Sequence, residues 1–210
     1  AMNDYSHVEG TKTVTNGIAS HAEGIHTVAD AEGSHAEGYW TVAYGTHSHV
    51  EGESILNTTK TAIANPLKAE GKASHAEGQA TIASGDYSHA EGCTGIIFGY
   101  DKHGNYFSNT TATTASGIGA HAEGVATIAS GRGAHAEGST SQYHANKLQT
   151  IASGEGAHAE GGGTQASGDY SHAEGDCTLA NGDASHAGGL NTLANNRYSF
   201  AHGLSLNTNR

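Results

Sequence analysis

Ser20-His21-Ala22-Glu23-Gly24 is followed fourteen residues later by Ser34-His35-Ala36-Glu37-Gly38. This unit recurs along the 210-residue chain, with its histidine at positions 7, 21, 35, 49, 75, 89, 121, 135, 158, 172 and 186 and a degenerate copy around Phe200. Midway between copies lies a second unit, Thr-(Ile/Val/Leu)-Ala-x-Gly, as in Thr81-Ile82-Ala83-Ser84-Gly85. Self-similarity at a fixed period predicts a solenoid.

Each unit is too short for a helix, and its side chains should alternate between two faces as in a β-strand. Ser, Ala and Gly of the first unit then share one face, as do Thr, Ala and Gly of the second. We therefore predict an all-β fold with two short strands in each 14-residue coil, stacked in parallel with the small residues between two closely spaced sheets. About twelve coils at ~4.8 Å per strand give a rod about 58 Å long.

Composition excludes several classes of protein. With 31 Gly, 1 Pro and 6% aromatic residues, the interior must be filled by Ala, Ser, Thr and Gly. The net charge of −12 argues against a nucleic-acid partner, and no apolar run is long enough for membrane insertion. Cys93 and Cys177 lie four coils apart, roughly 19 Å, so we expect no disulfide between them.

The repeats form a single domain, residues 1–210. The spacing between successive histidines exceeds fourteen residues at three places, each of which contains an insertion. The insertions fall at about 53–64, 93–112 and 139–149, always after Ser-His-x-Glu-Gly, so they should leave one corner of coils four, six and eight. Aromatic runs around a Gly/Asn-containing turn predict a β-hairpin in the longest. Insertions on one side of a solenoid often form its binding surface, although they could instead shield an edge or lock neighbouring subunits. The candidate ligand contacts are Phe98, Tyr100, Lys102, His103, Tyr106, Phe107, Tyr143, His144 and Lys147.

The pattern Ser-x-Ala-x-Gly-x-x-(Ser/Thr)-x-Ala-x-Gly-x-x resembles the head repeats of YadA-type trimeric autotransporter adhesins over nearly the whole chain outside the insertions. The resemblance implies a left-handed parallel β-roll assembled as a parallel homotrimer. Here Thr-Ile-Ala-Ser-Gly looks like that family's mixed outer strand, and Ser-His-Ala-Glu-Gly occupies the place of its apolar inner strand. The His-Ala-Glu-Gly motif is also similar to repeats in tail or neck appendage proteins of phages with Gram-positive hosts.

The histidines and glutamates of successive copies should form a regular column, which we call the His/Glu ladder. Neighbouring carboxylates ~4.8 Å apart repel by roughly 0.9 kcal/mol even in water. We therefore expect the ladder at the threefold interface, hydrogen-bonded between chains; in the alternative, it faces solvent and the Ile/Val/Leu column lies at the interface. Rings of three histidines would suit zinc, but each Glu already offers its imidazole a partner, so we expect no metal. The predicted interface residues are His21, Glu23, His35, Glu37, His75, Glu77, His89, Glu91, His121, Glu123, His135, Glu137, His158, Glu160, His172 and Glu174.

No catalytic motif breaks the repeat, so we expect no enzyme and no cofactor. A polysaccharide-acting solenoid enzyme is a weaker alternative. An ice-binding array is also a weaker alternative, because the recurring threonines should point inward rather than toward solvent. The favoured function is a structural and adhesive fibre domain, either an adhesin head or a phage tail-fibre segment, that attaches to an unidentified glycan or protein. A non-adhesive spacer is the alternative. Either favoured role implies an extracellular location, on a bacterial surface or a phage virion.

Overall fold

The computed structural model describes residues 3–56, 63–100, 106–141 and 148–204. Within these ranges the chain is all-β: it forms a parallel β-solenoid of about twelve turns with about 14 residues per turn and no helix. Consequently the described residues contain no helix long and apolar enough to cross a membrane. The predicted fold class is confirmed at this level.

Two parallel sheets run the length of the rod. The larger, which we call the His/Glu sheet, is formed within the described residues by the first unit of every copy. Its strands, in spatial order, are β1 (His7–Thr11), β3 (His21–Ile25), β5 (His35–Tyr39), β7 (His49–Glu53), β11 (His75–Gln79), β13 (His89–Cys93), β17 (His121–Val125), β19 (His135–Ser139), β21 (His158–Gly162), β23 (His172–Asp176), β25 (His186–Leu190) and β27 (Phe200–Leu204).

The second sheet, the Thr sheet, is built from the second unit and has shorter strands. In the same order they are β2 (Val14–Thr15), β4 (Val28–Ala29), β6 (Thr41–Ala43), β10 (Leu67–Ala69), β12 (Ile82–Ala83), β16 (Thr114–Ala115), β18 (Ile128–Ala129), β20 (Ile151–Ala152), β22 (Gln165–Ala166), β24 (Leu179–Ala180) and β26 (Leu193–Ala194). In both sheets equivalent residues pair directly, for example His121 with His135 and Ala129 with Ala152.

The core between the sheets consists of small side chains, as the alternation predicted. Ala122 of the His/Glu sheet and Ala129 of the Thr sheet are fully buried, together with Thr127. Thr127 donates a 3.0 Å hydrogen bond to the carbonyl oxygen of Glu123, which ties one sheet to the other inside a single coil. Because the threonines are buried, they cannot form an exposed ice-binding array.

Glycine sets how closely the coils stack. A Cβ placed on Gly124, where φ is +103°, would lie 2.1 Å from the carbonyl oxygen of Gly138 on the next coil. The corner residue two positions before each histidine is less restricted. Its φ is near +55°, and it is glycine in one coil (Gly119) but alanine in another (Ala73). The first position excludes any side chain, whereas the second tolerates one.

The three insertions leave the rod without disturbing it. They follow β7, β13 and β19, and each is flanked by coils that remain in register. The first contains the antiparallel pair β8 (Ile55–Leu56) and β9 (Ile63–Asn65); the second contains the predicted hairpin, β14 (Gly95–Tyr100) and β15 (Tyr106–Thr111). Cys93 and Cys177 are both free, as expected.

Candidate functional site

The His/Glu ladder is the most regular chemical feature of the surface. In the His/Glu sheet, the histidine and glutamate of each strand flank a buried alanine, or a buried valine in β7. From β3 to β23, the strands of this sheet therefore present both ladder residues on its outer face. The imidazole rings stack in parallel from His21 to His172, with centroids 4.6 Å apart at the first pair and 4.8 Å at the last. All sixteen residues predicted for the ladder are thus placed in one column, whatever covers it.

The contacts between histidine and glutamate are longer than the sequence suggested. His75 Nε2 lies 3.7 Å from Glu77 and 3.8 Å from Glu51, beyond hydrogen-bond distance. His121 and His186 are the ladder histidines, among the described residues, whose Nε2 reaches a carboxylate at 3.3 Å. The other Nε2 atoms that are buried and lack a hydrogen-bond partner belong to His21, His35, His49, His75, His89, His135, His158 and His172.

The carboxyl groups interact with one another as well as with the imidazoles. A hydrogen bond with Glu51, followed by burial and the charge of Glu51, raises the pKa of Glu37 to about 7. The same bond lowers the pKa of Glu51, because it stabilises the ionised form. Glu77 and Glu91 repeat the arrangement, with the pKa of Glu77 raised to about 7 and that of Glu91 lowered. Glu37 and Glu77 therefore keep their protons up to about pH 7, which relieves the repulsion with their neighbours.

Five of the ladder imidazoles favour the neutral form. Burial is the main cause that lowers the pKa of His35, His75, His89, His135 and His172, and the charge of neighbouring histidines lowers it further in each. A neutral imidazole offers a lone pair and can ligate a metal. Triads of two successive histidines and the intervening glutamate place their ligand atoms within 4.8 Å of one another, for example His75, Glu77 and His89.

The ladder ends in a different arrangement at coils eleven and twelve. Gly188 replaces the glutamate, and His202 occupies the equivalent position on β27. A Cβ on Gly188 would lie 2.6 Å from the His202 ring, which reaches across this gap to within 3.8 Å of Glu174. His186 contacts the same carboxylate, so two histidines surround the last glutamate of the column.

The predicted ligand contacts are only partly described. Phe98, Tyr100, Tyr106 and Phe107 lie in the hairpin β14–β15, where the backbone alone is described. The remaining candidates, Lys102, His103, Tyr143, His144 and Lys147, lie outside the described residues.

The bases of the second and third insertions meet at one coil. Gly95, at the start of the hairpin, packs so closely on Val125 and Ala126 that an added Cβ would lie 2.8 Å from the Ala126 side chain. From the third insertion, the Gln149 side-chain amide donates a 2.9 Å hydrogen bond to the carbonyl oxygen of Ala126. The insertions are therefore anchored on a shared corner, two coils apart.

Sequence reasoning missed four exposed tyrosines at the corner preceding the His/Glu sheet, in coils one, six, ten and twelve. Tyr5, Tyr87, Tyr170 and Tyr198 are between 59% and 91% exposed and share φ near +60°. The signal was available, because Asp-Tyr-Ser-His occurs at residues 4–7, 86–89 and 169–172. Exposed aromatic rings on a rigid corner are candidate contacts, although these four are separated by two to five coils and do not form one continuous surface.

No protein-family model matches the chain, and a search of curated proteins found no significant relative.

Proposed function

We propose that this chain is a structural and adhesive segment of a trimeric extracellular fibre, of the kind found on bacterial surfaces or phage virions, with no catalytic role. One observation carries the proposal: an uninterrupted rod bears three insertions at the same corner of alternate coils. An insertion that served no purpose would not need to recur at one corner, and insertions on one face of a solenoid commonly form its binding face.

The rod suits a load-transmitting role because its interior leaves little freedom to rearrange. Each coil pairs with its neighbours through both sheets, and buried hydroxyls such as that of Thr127 cross-link the two strands of a coil. The stack is quasi-one-dimensional, so its length follows the number of coils. Such a scaffold holds the insertions at fixed spacing.

Two faces of the rod are candidates for the threefold interface. The His/Glu ladder is the one we favour, because its buried and unpartnered Nε2 atoms would gain hydrogen bonds from a neighbouring chain. The alternative is the outer face of the Thr sheet, an apolar stripe of which Val14 and Leu193 are 38% and 51% exposed. Apolar stripes of this kind also mark interfaces.

Sedimentation equilibrium tests the assembly. At neutral pH and micromolar concentration the expected mass is about three times the 21.3 kDa of one chain. An aspartate at Ile128 would charge the apolar stripe, whereas His135→Ala would remove one rung of the ladder; both positions are half-buried. Loss of the trimer with His135→Ala alone supports the ladder as interface, and loss with Ile128→Asp alone supports the stripe. A 21.3 kDa species for the unaltered chain would overturn the trimer.

Deletion of the hairpin tests the adhesive role. Removing residues 95–112 joins Thr94 to Thr113 and restores the fourteen-residue spacing between His89 and His121, so the rod should remain folded. Fluorescently labelled chain should attach to whole bacterial cells from a Gram-positive and Gram-negative panel, measured by flow cytometry, and the deletion should reduce attachment at least tenfold. Equal attachment by the deletion variant would remove the insertions as the binding site, and no attachment by the unaltered chain would favour the spacer.

A further inference from the structure

The His/Glu ladder has the donor chemistry of a transition-metal site, because imidazoles and carboxylates alternate along it. An open groove beside its first half is lined by the carboxylates Glu23, Glu37, Glu51 and Glu77 and by glycines, so small ions can reach carboxylate oxygens there; of these four, Glu77 also belongs to a triad. Imidazole nitrogen combined with carboxylate oxygen is a ligand set that zinc and its first-row neighbours accept.

The expectation of no metal depended on each imidazole being satisfied by its own glutamate. The structure removes that premise: of the histidines that form the triads between His75 and His172, only His121 has its Nε2 within hydrogen-bond distance of a carboxylate. His75, His89, His135, His158 and His172 each bury an Nε2 atom that has no hydrogen-bond partner. An unsatisfied buried nitrogen is unfavourable, and a bound cation would satisfy several at once.

We propose that the ladder binds divalent transition-metal ions, with zinc as the representative, in triads of two successive histidines and one glutamate. Five such triads are His75–Glu77–His89, His89–Glu91–His121, His121–Glu123–His135, His135–Glu137–His158 and His158–Glu160–His172. Within each, the ligand atoms lie within 4.8 Å of one another. Ligand atoms about 2.0–2.2 Å from a tetrahedral zinc are roughly 3.3–3.6 Å apart. Side-chain rotations that bring the ligand atoms up to about 1.5 Å closer together would therefore close the site, and solvent would complete the coordination.

Sharing of histidines limits how many triads are filled together. Neighbouring triads use the same imidazole, and one Nε2 can bind one ion. Three of the five triads can therefore be occupied at once, those that begin at His75, His121 and His158. Successive rings are 4.7–4.8 Å apart, so ions in alternate triads would be separated by two coils, which limits their mutual repulsion.

The ligands of every triad come from one chain, so the inference does not depend on the proposed attachment role. Zinc and a neighbouring chain would use the same Nε2 atoms, so filled triads require a trimer assembled through the apolar stripe, or a ladder left open to solvent. Zinc binding and sedimentation mass are measured separately, so failure of one does not imply failure of the other.

The test is zinc stoichiometry by elemental analysis after equilibrium dialysis, on the full chain at pH 7.5 with micromolar free zinc. The triple variant His75→Gln, His121→Gln and His158→Gln removes one histidine from each of the five triads. The matched control, His26→Gln, His47→Gln and His144→Gln, removes three histidines that are not in the ladder. We expect about three zinc ions per chain in the parent and the control, and at most one in the ladder variant.

A second measurement needs no variant and so is independent of folding defects. Long-range ¹H–¹⁵N spectra of the unaltered chain should show the imidazole nitrogens of the ladder shifting on titration with zinc, while those of His26 and His47 stay in place. Displacement of bound zinc by millimolar calcium would show that carboxylates alone hold it and would overturn the proposal. Equal zinc content in the ladder variant and its control, or no bound zinc in the parent, would overturn it as well.

Discussion

The hydroxyl of Thr127 donates a 3.0 Å hydrogen bond to the carbonyl oxygen of Glu123, whereas the equally buried hydroxyl of Thr27 has no partner within the described residues. The two threonines occupy the same position in different coils. Thr41, Thr81 and Thr178 make the same bond as Thr127, to Glu37, Glu77 and Glu174 respectively. The link between the two sheets is therefore present in some coils and absent from others.

This difference predicts opposite responses to one substitution. Thr127→Val should lower the free energy of unfolding by about 1–2 kcal/mol, because the carbonyl oxygen of Glu123 loses its donor in the interior. Thr27→Val should be neutral or slightly stabilising, because it removes a buried hydroxyl that has no partner. Urea denaturation of both variants beside the parent measures the two effects. An equal loss in both would mean that the Thr127 hydrogen bond contributes nothing to stability.

Close stacking predicts a second contrast within one coil. Gly124→Ala should prevent normal stacking, because its Cβ would lie 2.1 Å from the Gly138 carbonyl oxygen at a φ of +103°. Gly119→Ala should cost only about 1 kcal/mol, because φ is +64° and nothing lies within 4 Å of the added Cβ. Circular dichroism and the thermal midpoint distinguish them. A Gly124→Ala protein as stable as Gly119→Ala would contradict the spacing assigned to the rod.

The fold could be predicted from the sequence because its determinants are local and repeated. The period located the strands of the two long sheets, and the alternation within Ser20–Gly24 assigned Ala22 to the interior and His21 to the outer face of its sheet. The antiparallel pair β8–β9 in the first insertion was not predicted. The hairpin β14–β15 followed from aromatic runs around a turn.

The detail of the ladder could not be predicted, because it depends on distances of a few tenths of an ångström. Whether His75 Nε2 lies 3.7 Å or 3.0 Å from Glu77 decides whether a hydrogen bond forms, and both residues recur identically at every coil. The same limit applies to the buried threonines: a sequence that reads Thr at positions 27 and 127 alike does not reveal which hydroxyl finds a carbonyl oxygen. The left-handed corners were missed for another reason, since Ala73 and Tyr87 occupy a conformation that favours glycine.

The corner at Ala73 yields a prediction of stabilisation. Its φ of +49° is unfavourable for alanine by about 1–2 kcal/mol, and glycine occupies the equivalent place at residues 33, 119, 133 and 156. Ala73→Gly should therefore raise the free energy of unfolding by roughly 0.5 kcal/mol after the greater entropy of glycine in the unfolded chain is subtracted. Ala76→Gly, at a fully buried strand position, should lower it by at least 1 kcal/mol. Destabilisation by Ala73→Gly in urea denaturation would contradict the assignment of backbone strain to this corner.

The proton shared by Glu37 and Glu51 predicts how stability changes with pH. The pKa of Glu37 rises to about 7 in the folded chain, mainly through its hydrogen bond with Glu51, so the folded state retains a proton that the unfolded state releases above its ordinary pKa of 4.5. The stabilisation is complete below that value and is lost as the pH rises to about 7. The pKa of His35 is lowered by burial, which acts in the opposite direction: its contribution is present above 6.5 and is lost as the pH falls.

A substitution that keeps the hydrogen bond and removes the titration isolates the glutamate. Glu37→Gln cannot ionise and still donates to Glu51. The contribution of His35 is common to both proteins and cancels, whereas His49, whose Nε2 lies 3.7 Å from Glu37, faces an amide in place of a carboxyl group in the variant. The variant should match the parent at pH 5 and exceed it by about 1 kcal/mol at pH 8, after allowance for solvent screening of a partly exposed group. Thermal unfolding in buffers containing a chelator measures this difference, and Glu32→Gln, at an exposed corner position, is the control. A difference between variant and parent that stays constant from pH 5 to pH 8 would contradict a pKa of about 7 for Glu37.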